Sequence, residues 1–235
     1  MTTIDAWTGT KGEALEAVGL GSAGFGKPSK MPGRAWGISA DECATGTKLA
    51  KMGNTTCSHC YAQGANYQYP SVRTAHRRRL DAWRTDRRKW RSAMTYLLRR
   101  ESKREGWEHF RWFDSGDLQG RDMLEDVAAV SAACPELRFW MPTHEIGLVR
   151  SWLDGAKVPS NLTIRLSAVF MDAPGPERVG LPTSTVHTSP SGLVKIVDRS
   201  TTGVQACPAP EQNNECGDCR ACWDPSVPAV SYRKH

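Results

Sequence analysis

The spacing of apolar positions changes character along the chain. In "SVRTAHRRRLDAWRTDRRKWRSAMTYLLRRESKRE", Leu80, Trp83, Trp90, Met94 and Leu97 recur at helical intervals, with arginines on the other faces. One stripe of that kind predicts one or two amphipathic helices. Further on, "HFRWFDSG", "ELRFWMPT" and "NLTIRLSAVF" read as strands. Between them "GRDMLEDVAAVSAAC" and "EIGLVRSWLDGA" read as helices. "RAWGISA" predicts an earlier short strand, and "GLVKIVDRS" a late strand-like piece. Alternation of this kind with short connections implies parallel strands joined by right-handed crossovers. About four to six strands are too few for a full eight-stranded barrel. The expected fold is therefore α/β, a partial (β/α) barrel-like parallel sheet with a cysteine-rich C-terminal segment.

Three regions follow from the texture. Residues 1–35 form a weakly patterned, flexible N-terminal segment. Residues 36–200 form the α/β core, and residues 201–235 a cysteine segment. "GLGSAGFGKPS" carries fragments of a dinucleotide motif and of a phosphate loop. Both motifs need a strand before and a helix after. Here the preceding "EALEAV" reads helical, and Pro28 stands where the magnesium-binding hydroxyl belongs, which argues against a nucleotide site.

The chain has 235 residues, enough to bury a core without disulfides, and a net charge of +6. The excess is local: Val72–Arg104 holds thirteen Lys or Arg against three Asp or Glu. Trp83 and Trp90 lie within it, and Trp107 and Trp112 just after. A basic helix over 72–104 with interleaved tryptophans suits phosphates and bases, making nucleic acid a candidate partner. Because the tryptophans share the apolar stripe, core packing with a solvated charged face is the competing reading. No signal-like start or spanning apolar run is evident, so the expected location is a reducing cytoplasm, with no membrane partner. There, clustered thiols bind metal more often than they pair.

Seven of the eight cysteines fall into two groups. Cys43, Cys57 and Cys60 form the first, and Cys207, Cys216, Cys219 and Cys222 the second. Cys134 ends a helix on its apolar face, the place of a small buried hydrophobe. A two-residue gap lets two sulfurs face one point, which serves zinc and iron–sulfur clusters alike. Two consecutive gaps of this size plus a remote fourth thiol favour [4Fe–4S] over zinc in the second group. In the first group, zinc completed by His59 or another residue competes with a [4Fe–4S] cluster that leaves one iron without a thiolate. Such an iron can bind substrate or S-adenosylmethionine.

"CSHCYA" resembles the cluster loop of radical S-adenosylmethionine enzymes, where three cysteines precede an alternating β/α partial barrel. The set "CSHCYA", "WFDSGD", "FWMPTHE" and "CGDCRACW…H" more closely resembles a bacteriophage domain family called gene product eighty-eight, over roughly Pro28 to His235. This resemblance implies a phage-encoded, cysteine-rich iron–sulfur protein working in the infected host cell. The thirteen residues between Cys43 and Cys57 depart from the shorter first gap of the radical enzymes. Loop closure tolerates that length, since its entropy grows slowly.

Ligands of parallel α/β sheets sit at the carboxyl ends of strands. Ser115, Gly116 and Asp117 follow a strand there. By the radical-enzyme resemblance this turn contacts the amino group of the cofactor; an ordinary turn with Asp117 capping the next helix is the alternative. Thr143, His144 and Glu145 end the next strand, in site or capping positions. Arg165 and Ser167 alternate with Ile164 and Leu166, facing either a lumen or solvent. The expected function is an iron–sulfur protein, either a radical-type enzyme or a non-catalytic cluster protein, with an electron donor as partner. The alternative is a zinc- or cluster-stapled nucleic-acid-binding or regulatory module.

Overall fold

The computed structural model describes residues 3–234; His235, the end of the C-terminal motif, lies outside them with Met1 and Thr2. The first helix is α1 (Lys11–Ala17). It opens with a reciprocal cap, in which Thr10 Oγ1 accepts from the Glu13 amide and Glu13 accepts from the Thr10 amide. Ala14, Val18 and Leu20 are buried in the main core, so the segment expected to be flexible is packed. Its sequence looked weak because a single short helix carries the contact. The glycine-rich stretch lies on α3 (Pro70–Thr85), where Arg78 donates to the Gly19 and Leu20 carbonyls.

Seven parallel strands form the sheet: β1 (Arg34–Trp36), β2 (His109–Trp112), β3 (Arg138–Thr143), β4 (Leu162–Ser167), β5 (Thr183–His187), β6 (Val204–Ala206) and β7 (Ala229–Arg233). Their spatial order is β1-β2-β3-β4-β5-β7-β6. The first five strands are laid down in sequence order. The sheet is open, since β1 and β6 are its two edges. The remaining helices are α2 (Ala44–Ala50), α4 (Arg87–Glu105), α5 (Arg121–Ala132), α6 (Ile146–Leu153) and α7 (Pro190–Arg199).

Strand alternation separates the two faces. Trp36, Phe110, Trp112, Phe139, Met141 and Ile164 share one core with Trp90, Met94 and Leu97 of α4, Met123 and Val127 of α5, and Val149 of α6. All five positions of the predicted stripe are buried. The long basic segment is two helices because Asp86 breaks it and caps α4, its carboxylate accepting from the Lys89 amide at 2.9 Å. Cys134 is fully buried, as a small hydrophobe would be. Asn161 is buried too, its amide donating to the carbonyls of Ser131, Cys134 and Leu137 at the end of α5.

The strand expected at "GLVKIVDRS" is instead α7. Ser189 caps it, accepting from the Gly192 amide, and Pro190 starts its first turn. Val194 and Val197, three residues apart, are exposed together while Ile196 is buried, as on a helix. The strands not foreseen are β5, β6 and β7, which are short and, in β5, rich in Ser and Thr.

Candidate metal centres

Arg111, Trp140, Thr163 and Arg165 alternate with the core positions of β2, β3 and β4 and occupy the opposite face of the sheet. Two stretches without long helices cover that face, and each carries one of the cysteine groups. All eight cysteines are free thiols.

The first group sits on the connection that leaves β1. Its path is pinned across the carboxyl ends of the strands. The Ile38 amide donates to the Ser115 carbonyl, the Thr56 amide to Val169, and the Met171 amide to Asn54. Thus the connection reaches from β1 to the end of β4. Cys57 is buried and Cys43 and Cys60 partly so, whereas His59 is exposed. Gly46 faces the thiols: a Cβ there would lie 2.5 Å from Cys43 Sγ and 3.7 Å from Cys57 Sγ. Burial pushes both thiols up to about 12, and neighbouring thiols and Asp117 add to the rise. Gathered thiols of this kind stay neutral on their own and ionise when a cation joins them.

The turn after β2 is held rigidly. Gly116 takes a φ of 74°, and a Cβ there would strike Ile38 Cγ1 at 2.4 Å, so only glycine fits. Asp117 does not cap α5. Its carboxylate accepts from Thr143 Oγ1 at 2.6 Å and from the His144 and Leu118 amides at 2.7 and 2.8 Å. It therefore ties the end of β2 to the end of β3. Burial raises it to about 7 against those three bonds.

Four buried polar atoms in this region have no partner: Asp114 Oδ1, Ser115 Oγ, His144 Nδ1 and Glu145 Oε1. His144 is informative. Thr56 Oγ1 gives its hydrogen to the Ala168 carbonyl at 2.9 Å and lies 3.2 Å from His144 Nε2, so the imidazole carries its proton on Nε2. Nδ1 is then a bare acceptor. Burial holds His144 down to about 4, below its unfolded value of 6.5. Between these pH values the unfolded chain binds the extra proton, so the His144 contribution to stability rises with pH, opposite in sign to that of Asp117, which the folded chain protonates more readily. His144→Gln is expected to remove that rise, lowering stability at pH 7 relative to pH 4.5 by on the order of 2–3 kcal/mol against the parent. Urea midpoints at pH 4.5 and 7 measure it; an unaltered slope would show that His144 is not the responsible group.

The second group closes around the end of β6. Cys207, Cys216, Cys219 and Cys222 line one small hollow with Gln205, Trp223 and Val230. The Cys207 amide extends the β6–β7 ladder to the Ser231 carbonyl, and the Cys219 amide donates to Cys216. Tyr232 OH lies 3.1 Å from Cys222 Sγ. Arg165 holds the segment in place. It is fully buried, and its five N–H groups reach the carbonyls of Ala221, Cys222, Asp224, Val227 and Thr183 at 2.5–3.2 Å. So Arg165 points inward. All its partners are neutral, and Cys222 is among the groups that favour its charge. Tyr232 and Asp224 are the others, and burial works against the charge. Ser167 Oγ meets Ser184 Oγ at 3.2 Å. Among the described residues, no three Cys, His, Asp or Glu side chains already close into a cage for a metal ion.

The basic helices are extensively paired within the chain. Arg73 meets Asp41, Arg88 meets Asp5, Arg99 meets Glu136, and Arg87 and Arg91 share the buried Asp126. Trp83, Trp90, Trp107 and Trp112 are buried, which removes them from base stacking. Among the described residues no helix is long and apolar enough to cross a membrane.

Residues absent from the sequence reading include Thr56, Gly46, Asp114, Tyr61 and Arg111. Gly46 and Tyr61 are near neighbours of cysteines, which was the available signal. Arg111 and Asp114 show their roles only through contacts distant in sequence.

Fold and site together define an open, parallel α/β protein with two thiol groups on one side of its sheet. The chain belongs to the gene product 88 family, whose model matches residues 6–225. Comparison with curated proteins and with solved structures found no match.

Proposed function

We propose that this protein holds two [4Fe–4S] clusters, one on Cys43, Cys57 and Cys60 and one on Cys207, Cys216, Cys219 and Cys222. The three-thiol cluster binds S-adenosylmethionine at its thiolate-free iron. One observation carries this reading: Cys43 and Cys57 meet beside Gly46 on the connection that crosses the carboxyl ends of the strands, Cys60 acts on both, and the turns after β2 and β3 carry the unpartnered atoms of Asp114, Ser115, His144 and Glu145. Glycine at position 46 lets the backbone approach the sulfurs closely, and the unpartnered atoms can pair with a polar ligand. The first five strands follow sequence order in an open parallel sheet, and ligands of such sheets sit at the carboxyl ends of the strands. When bound, the reduced cluster supplies an electron for reductive cleavage of the sulfonium. Ser115 Oγ hydrogen-bonds the ligand, Gly116 admits its close approach, and Asp117 fixes the turn that presents both.

Anaerobic preparation is expected to give a brown protein with iron and sulfide. Adding S-adenosylmethionine should change the EPR spectrum of the reduced protein, and strong reductant should release 5′-deoxyadenosine. Iron without either response would leave a non-catalytic cluster protein. The second reading at the first group is zinc, held by the same three thiols with a fourth ligand from another residue. Stoichiometric zinc and no iron after anaerobic preparation decides for that reading.

A further inference from the structure

The two cysteine groups are separated by a continuous row of side chains on the face that both occupy. Tyr61 follows Cys60 directly. Its hydroxyl accepts from Arg111 Nη2 at 2.8 Å and donates to the Asp114 carbonyl. The Arg111 guanidinium lies 4.5 Å over the Trp140 ring. The Trp140 ring is 6.3 Å from that of Tyr232, whose hydroxyl touches Cys222 Sγ. Trp140 also packs on Trp223, the neighbour of Cys222, at 5.4 Å. The links are a hydrogen bond, a cation–π contact, a ring–ring contact and a hydroxyl–thiol contact. Arg111 Nε and Trp140 Nε1 are buried without a partner, so neither polar group is explained by the packing alone.

Arg111 is also electrically shared. Tyr61, Asp114 and Tyr232 favour its charge against burial, and it is among the cations that act on Cys216. One guanidinium thus stands between the two thiol groups. The segment from Glu211 to Glu215, beside the four-thiol hollow, is exposed, whereas Cys57 is buried. That exposed segment gives an outside protein an approach to the four-thiol hollow.

We propose that the two groups form one redox unit, in which the four-thiol cluster passes electrons to the three-thiol cluster across Tyr232, Trp140, Arg111 and Tyr61. The inference rests on the iron–sulfur reading above. One electron leaves the reduced four-thiolate cluster, which is oxidised, and enters the oxidised three-thiolate cluster, which is reduced. No proton moves, because both tyrosines keep theirs. A low-potential one-electron carrier, a reduced iron–sulfur or flavin protein docking beside residues 211–215, refills the first cluster. Arg111 stabilises the added negative charge at either end, as charges and hydrogen bonds around a cluster set its potential.

The test uses the full chain reconstituted with iron and sulfide. With both clusters reduced, its EPR spectrum should be broadened by spin–spin interaction. The sum of the spectra of Cys43→Ala and Cys219→Ala should not reproduce it. In redox titrations, Arg111→Gln should lower both midpoint potentials together, while Arg111→Lys, which keeps the charge, should hold them near the parent. Trp140→Leu should slow reduction of the three-thiol cluster by a flavin carrier protein severalfold. An additive spectrum, or a shift at one cluster only, overturns the inference and leaves the iron–sulfur reading standing. Fewer than two clusters by iron and sulfide analysis overturns both. Should Arg111→Gln fail to fold, the parent spectrum and Arg111→Lys decide.

Discussion

Replacing Arg165 with alanine is expected to detach the C-terminal cysteine segment from the sheet. Five carbonyls depend on this one side chain, four of them between Ala221 and Val227. Removing it leaves buried acceptors without donors and empties the space of a large side chain. The loss should be about 3–5 kcal/mol, the range for breaking a buried charged network. Arg165→Lys should rescue little, because a single ammonium cannot fork toward five carbonyls. Urea midpoints followed by circular dichroism measure the stability, and metal content measures the site. Both variants should lose metal from the Cys207–Cys222 group and retain it at the Cys43–Cys60 group. Unchanged midpoints with full loading would show that the segment is held by something other than Arg165.

That result turns on a contact the sequence could not disclose. In "LTIRLSAV" the alternation separates Arg165 from Ile164 and Leu166, but period two does not say which face is the interior. Both faces of β4 are covered: one by helices, the other by the C-terminal segment. An arginine among apolar residues looked equally suited to solvent. The first four strands were legible because aromatic and aliphatic residues mark their core face. The Leu80–Leu97 stripe was legible because it runs over several turns. By contrast, β5 presents Thr and Ser on a buried face, and β6 has three residues, too few for any period. "GLVKIVDRS" misled because its branched residues Val194, Ile196 and Val197 favour strands, while the deciding signal, Ser189 before Pro190, is a helix start.

The cysteine groups were legible in their spacing, and Cys207, Cys216, Cys219 and Cys222 line one hollow. What spacing omits is the surroundings. The basic run looked like a phosphate surface, yet its charge is answered from elsewhere by Asp5, Asp41, Asp126 and Glu136. Such pairs join residues tens of positions apart, so counting charge in a window overstates what solvent meets. Surface pairs of this type add little stability. Asp126 is different, because it is fully buried between Arg87, Arg91 and Trp83 Nε1 and anchors α5 to α3 and α4.

Gly46→Ala is expected to separate folding from metal loading at the three-thiol group. Gly46 lies inside α2 with ordinary helical geometry, where alanine is favoured over glycine by about 1 kcal/mol. Helix propensity alone therefore predicts a neutral or stabilised metal-free protein. The added Cβ, however, falls 2.5 Å from Cys43 Sγ, well inside contact distance, and 3.7 Å from Cys57 Sγ. The sulfur is the free end of a short side chain and can swing aside, so the fold survives. The displaced thiol then no longer faces its two partners. Iron at the first cluster should be lost while the Cys207–Cys222 cluster remains, with a melting temperature of the metal-free chain at or above the parent. Iron and sulfide analysis beside calorimetry of the metal-free protein gives both numbers. Full loading of both clusters in Gly46→Ala would mean that Cys43 is not held at the metal, and would remove the residue that closes the three-thiol set.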